Sequence, residues 1–259
     1  MPELPDLEVF SSNLDKKLAR KTIDHISITN TKNIIANAAT FKKSFEQQKL
    51  YKVYREGKEL RFEFKNGHIL GMHLMLHGKL FLFKDDNEEK HTLAELHFTD
   101  GTGLALTDFQ KIAALTVNPA KSEAPDAMSD DLNAAYLDEK LSATRATIKN
   151  VLLDQHIIRG IGNAYADEIL WDARISPFSI SNKIPIAKTK KLARSIYSVL
   201  SDAIVKIQKK NPDIIAGEIR DFMLIHNSAL EKSPTGAEIK KHTAGGRNTY
   251  FTDEQELFE

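Results

Sequence analysis

Residues 148–177 read IKNVLLDQHIIRGIGNAYADEILWDARISP, and this stretch decides the fold. Two amphipathic helices, near Ala146–Leu153 and Ile161–Asp172, flank the run Arg159-Gly160-Ile161-Gly162-Asn163-Ala164-Tyr165-Ala166. Two glycines one residue apart let the backbone approach a partner closely, and Asn163 at the start of the second helix places amide donors where a phosphate can bind. The segment before the glycines has the period of a helix and not of a strand, so it is not a dinucleotide fingerprint. It reads as helix, two tight turns, helix. A plain interhelical turn capped by Asn163 stays open at this point.

On the C-terminal side the helical pattern continues at Ile186–Gln208 and Ala216–Met223, and before the central stretch at Asp131–Leu141. Asn118 to Asp131, with Pro119, Pro125 and mixed small and charged residues, reads as a linker. From Thr22 to about Val117 the texture is different: short alternating runs at Ile23–Ile28, Leu60–Phe64, Leu80–Phe83 and Leu93–Phe98. Turn signals at Lys65-Asn66-Gly67, Asp85-Asp86-Asn87 and Asp100-Gly101 separate them, which predicts an antiparallel sheet domain. Ahead of it, Leu7, Val9, Phe10, Leu14 and Leu18 predict a helix over about Asp6 to Arg20, with Pro5 and Asp6 suited to its first turn. The expected divisions are residues 1–118, a linker 119–130, a helical domain 131–228 and a terminal hairpin 229–259.

Composition sets the limits on function. Lys plus Arg and Asp plus Glu balance at 36 each in 259 residues, so any surface for nucleic acid must be local and not a property of the whole chain. There is no cysteine, which removes disulfides, thiolate catalysis and Cys-ligated zinc and fits a reducing compartment. No stretch approaches the roughly 20 apolar residues of a membrane span, and the start lacks the pattern of a signal peptide.

Chemistry can sit first at the N-terminus. If Met1 is removed, Pro2 offers a secondary amine on the surface, and an α-amino group with a pKa of about 7.7–8.0 is partly neutral, and so nucleophilic, near pH 7. Attack of that amine on a sugar C1′ displaces the base and leaves an iminium ion. The iminium acidifies the C2′ proton and opens a path to β-elimination of phosphate. Glu3 is placed to act as general acid on the sugar ring. A plain helix start is the competing reading of Met1-Pro2-Glu3. Lys58 after Gly57, His73, and Arg247 on the turn Gly245-Gly246-Arg247 are candidate phosphate contacts. Leu76, between His73 and Gly78, can form a loop tip that wedges into a base stack.

Taken in order, these segments resemble the formamidopyrimidine-DNA glycosylase and endonuclease VIII family over almost the whole chain. Met1-Pro2-Glu3-Leu4-Pro5-Asp6-Leu7-Glu8 is similar to its N-terminal signature, Gly57-Lys58 and His73–Gly78 to its sheet-domain motifs, residues 148–177 to its helix–two-turn–helix, and Gly245–Phe251 to its finger hairpin. The resemblance implies an α+β protein: an N-terminal antiparallel β-sandwich led by a helix, then a helical domain with a terminal β-hairpin finger, clamping DNA in the cleft between. It implies Pro2 as nucleophile, Glu3 as acid/base partner, and Lys58 both in the catalytic set and on phosphate. His73, Asn163 and Arg247 are then further phosphate contacts, and Glu168 a supporting carboxylate. The partner is damaged double-stranded DNA, bound by a monomer without metal, cofactor or membrane, in a bacterial cytoplasm at the nucleoid or in a eukaryotic nucleus. Such a protein removes oxidised bases and cleaves the abasic site; a lesion binder without chemistry is the alternative.

Three departures from the family pattern bear on this. The usual finger has four zinc-binding cysteines, whereas here Ser233 and Thr252 stand near two of those positions, so hairpin packing must hold Arg247. In Asp108-Phe109-Gln110-Lys111-Ile112, Gln110 and Ile112 take the place of an Arg and a Phe that fill the gap left by the lesion, with Leu76 as the remaining wedge. His156 stands where a lysine is common. The short stretch between Gln208 and Met223 tilts the expected substrate toward oxidised pyrimidines or ring-opened purines.

Overall fold

Helix α1 (Leu4–Leu18) begins where Glu3, in extended conformation, exchanges hydrogen bonds with Asp6: the Glu3 N–H donates to the Asp6 carboxylate at 2.9 Å, and the Glu3 carboxylate accepts from the Asp6 amide. This capping box starts the helix two residues earlier than apolar spacing alone predicts. Leu4, Leu7, Phe10, Leu14 and Leu18 form its buried face, which lies against β3 and β4, and Arg20 ends it in the left-handed region at φ 73°. The computed structural model describes residues 1–29, 34, 35, 38–244 and 246–259.

Two sheets follow. One has the order β1 (Ile23–Ile28), β7 (Thr92–Phe98), β8 (Thr102–Thr107), β6 (Lys79–Lys84); the other runs β2 (Ile34–Ile35), β9 (Ala114–Val117), β5 (Ile69–His73), β4 (Glu59–Phe64), β3 (Leu50–Glu56). All pairings are antiparallel except the short β2–β9 contact. Leu60, Phe62, Phe64, Leu70 and Met72 from one sheet, and Ile23, Ile26, Leu80, Leu96 and Leu104 from the other, are removed from solvent. The three turn signals fall between β4 and β5, β6 and β7, and β7 and β8, with Gly67 and Gly101 supplying φ 83° and 80°. Helix α2 (Ala38–Phe45) interrupts the strand texture, and its two turns gave too short a period to read in the sequence. Phe41 and Phe45 are its buried pair, and the Phe45 ring meets Phe64 at 5.0 Å.

The helical part contains α3 (Ala134–Ser142), capped by the Asn133 side chain, α4 (Ile148–Leu153), α5 (Asn163–Ala173) and α6 (Ile186–Lys210), then the hairpin β10 (Lys240–Ala244) and β11 (Arg247–Phe251). The cap of α5 is Gly162 and not Asn163, which is its first residue. The helix expected over Ala216–Met223 does not form. Gly217 sits at φ 87°, and the amides of Leu224, Ile225 and His226 are taken by the Glu168 carboxylate at 2.8–2.9 Å. By contact the chain forms two compact units, residues 1–121 with 207–218 and residues 122–206 with 219–259. The end of α6 therefore joins the sheet unit, where Asn13 donates to the Ile214 carbonyl and Lys17 pairs with Asp213, both at 2.9 Å. Among the described residues no helix is long and apolar enough to cross a membrane.

The β5–β6 connection is drawn into a tight loop: the Gly78 N–H donates to the Leu74 carbonyl at 2.8 Å, and a Cβ on Gly78 would lie 2.3 Å from that same oxygen. A backbone atom cannot swing aside as a side chain can. Gly78→Ala is expected to cost about 1–3 kcal/mol, read as a lowered urea midpoint with an unchanged slope. A midpoint equal to that of the parent would show that the loop tolerates the methyl.

Candidate active site

In the sheet unit the chain terminus meets α1. With Met1 in place Pro2 is buried, and the Met1 ammonium pairs with the Glu218 carboxylate. Loss of Met1 is needed to turn the Pro2 nitrogen into a secondary amine. Glu3, 5% exposed, is the next residue and is held by the capping box, so its carboxylate is fixed beside the terminus.

Lys58 is half-buried at the second position of the two-residue β3–β4 turn, which Gly57 opens at φ 59°. It lies close enough to His73, at the end of β5, to act on it. Burial first, and the Lys58 cation second, press the His73 imidazole below its ordinary pKa. His73 is therefore neutral at pH 7, and its Nδ1 accepts the Met75 N–H at 3.1 Å. That bond pins Met75 at φ 53°, a conformation uncommon outside glycine. The loop ejects Leu76, 55% exposed, and His77.

A neighbouring loop is built on Asp108. Its buried carboxylate accepts the N–H groups of Gln110, Ile112 and Ala113, each at 2.9 Å. Gln110 is exposed and Ile112 half-buried. Phe109, passed over in the sequence, is 57% exposed and its ring packs on His77 at 4.6 Å. An aromatic residue in a polar loop next to Asp108 was the available signal.

The helical unit gathers Asn163, Glu168 and Arg247. Arg247 is exposed at the start of β11 after Gly246 at φ 74°; Gly245 lies outside the described residues. Asn163 donates a side-chain N–H to the Asn248 carbonyl at 2.9 Å, tying the first turn of α5 to β11. Asn163 and Arg247, together with Lys149, Thr249, His242 and Phe178, border a cavity of about 390 Å³ whose lining holds no carboxylate. A helix N-terminus and the exposed Arg247 guanidinium, with no carboxylate in the lining, suit an anion such as phosphate. Glu168 is spent on the three amides of residues 224–226, which makes it the anchor of that segment.

Under the cavity lies a pair the sequence did not single out. Lys149 and Asp167, 6% and 1% exposed, meet at 2.6 Å. Asp167 also accepts the Tyr250 N–H at 2.9 Å and faces His226 Nδ1 at 2.7 Å, while Lys149 donates to the Thr249 hydroxyl at 2.8 Å. Their signal was two charged residues set among apolar positions of α4 and α5. Asp167→Ala strips a buried ammonium of its carboxylate and is expected to cost about 3–5 kcal/mol. Lys149→Met is expected to cost less, because Asp167 keeps Tyr250 and His226. Urea unfolding of the two variants checks this, and equal costs would contradict it.

Set beside known proteins, residues 1–115 match the family model "Formamidopyrimidine-DNA glycosylase N-terminal domain" and residues 124–212 the "Formamidopyrimidine-DNA glycosylase H2TH domain". Formamidopyrimidine-DNA glycosylase of Lactobacillus gasseri is 31% identical over 267 residues, covering 97% of both chains. That of Bacillus licheniformis is 31% identical over 269 residues, covering 97% of this chain and 98% of its own. Among solved structures, a complex of the LlFpg protein with a THF-DNA and an inhibitor superposes with TM-score 0.89 at 28% identity, over 98% of this chain and 100% of that one. Lactococcus lactis Fpg bound to DNA containing an oxidised pyrimidine gives 0.86 at 28% identity, over 97% and 98%. The chain belongs to the formamidopyrimidine-DNA glycosylase family.

Proposed function

We propose that this protein is a base-excision DNA glycosylase with abasic-site lyase activity, acting as a monomer on damaged duplex DNA in a bacterial cytoplasm. The observation that carries the proposal is the terminus: Pro2 next to Glu3, whose carboxylate the capping box fixes at the start of α1. Freed of Met1, the Pro2 nitrogen attacks C1′ and the bond to the base breaks. Glu3 protonates the ring oxygen as the sugar opens, and the nitrogen lone pair forms an iminium with C1′. A base removes the C2′ proton, the electron pair moves toward the iminium, and the C3′–oxygen bond breaks with departure of the phosphate. A second elimination expels the 5′ phosphate, and water returns the free amine.

The remaining residues hold the nucleotide out of the stack during these steps. Arg247, Asn163 and Lys58 grip phosphates, with neutral His73 offering its second ring nitrogen as a donor. Leu76, Gln110 and Ile112 occupy the space the nucleotide vacates, and Glu168 supports the loop over residues 224–226. The solved relatives support this class of substrate: Lactococcus lactis Fpg was crystallised with DNA containing an abasic site and with DNA containing an oxidised pyrimidine. Oxidised pyrimidines and ring-opened purines are the favoured lesions here.

A chain that keeps Met1 would fit a second reading, a lesion binder whose amine stays blocked. Both are settled by excision kinetics on duplexes containing dihydrouracil, formamidopyrimidine or 8-oxoguanine, with the intact mass of each protein recorded. Pro2→Gly and Glu3→Gln should each slow base release at least about a hundredfold while duplex binding survives. Undiminished excision by both variants, or a parent chain that keeps Met1 and releases no base, would defeat the proposal.

A further inference from the structure

The hairpin that carries Arg247 has five residues in each strand, and four of the five in β10 are exposed. A two-stranded hairpin is marginal by itself in water, so its base must be held by something besides its own ladder. Thr235 Oγ1 donates to Glu254 Oε2 at 2.7 Å, the Thr252 and Ser233 hydroxyls lie 3.3 and 3.4 Å from the same oxygen, and Ser233 and Thr235 share a hydrogen bond of 2.8 Å. Arg174, the left-handed C-cap of α5, brings Nη1 to 3.0 Å from that oxygen. The Thr235 hydrogen bond, helped by Arg174 and opposed by desolvation, holds the Glu254 carboxyl below its usual range, so it is charged at neutral pH. Next to it, Gln255 accepts the Thr252 N–H and donates to the Ile175 carbonyl, both at 2.9 Å.

The segment entering the hairpin, the segment leaving it and the end of α5 therefore converge on one carboxylate oxygen. Zinc is held in structural sites by four thiolate or imidazole ligands. The groups here are three hydroxyls, one carboxylate and a guanidinium whose charge repels a metal ion, and they do not fit zinc. Among the described residues no group of three or more His, Cys, Asp or Glu is arranged to hold a metal.

We propose that Glu254 is the positioning residue of this finger, gathering Ser233, Thr235, Thr252 and Arg174 at one oxygen so that Arg247 reaches its phosphate without a metal. The inference rests on Arg247 being a phosphate contact. Two measurements on the full chain separate the parts. In DNA-free protein, Glu254→Ala should speed amide exchange over residues 240–251 and leave residues 163–173 protected, with Glu254→Gln intermediate and chelator without effect on the parent. On an abasic-site duplex Glu254→Ala should weaken binding about tenfold, and add nothing in an Arg247→Ala background because it acts through that residue. Unchanged hairpin exchange, loss of protection on chelation, or full additivity with Arg247→Ala would overturn the proposal. Loosened exchange in Glu254→Ala, together with parental binding by Arg247→Ala, would instead refute the phosphate role of Arg247 and leave the staple standing.

Discussion

The helical unit depends on one buried ion pair. Lys149 on α4 and Asp167 on α5 are both withdrawn from water, and two such charges are tolerated only if each finds several partners. The partners they find are the main chain and side chains of β11 and the His226 ring. The cost of burying charge is thereby converted into a fixed relation between two helices and a strand. Arg247 opens that strand, so the pair holds the inner side of the strand that carries it while the Glu254 cluster holds the base of the hairpin; Asn163, bonded to Asn248, adds a second tie from α5.

The sheet unit reaches similar precision by backbone means. Met75 is held at positive φ by a bond to His73, Gly78 closes the loop where no side chain fits, and Asp108 turns three consecutive-region amides toward one carboxylate. Each device spends a polar group on shape. The consequence is that Leu76 and Phe109 stand exposed on short, determined loops and not in a core.

Local chemistry was legible in the sequence and long-range pairing was not. The glycines at 160 and 162, the Asn-Gly and Asp-Gly turns and the apolar spacing of α1 act within a few residues, and the strands and most helices fall where they point. One local reading was overruled. Residues 216–223 have a helical composition, but Gly217 and the pull of Glu168 on the following amides give turns. Lys149, Asp167 and Phe109 left only weak local signals, and Glu254 none, because their roles come from partners that folding brings together.

The chain terminus is the reacting group of the proposed function, and one measurement addresses that directly. The purified protein is mixed with a duplex containing an abasic site, reduced with borohydride, digested and mapped by mass spectrometry. The predicted result is a sugar remnant on the N-terminal peptide, attached to Pro2 in chains that have lost Met1. A remnant on Lys58 or another lysine, or no adduct from a chain that begins at Pro2 and binds the duplex, would contradict it.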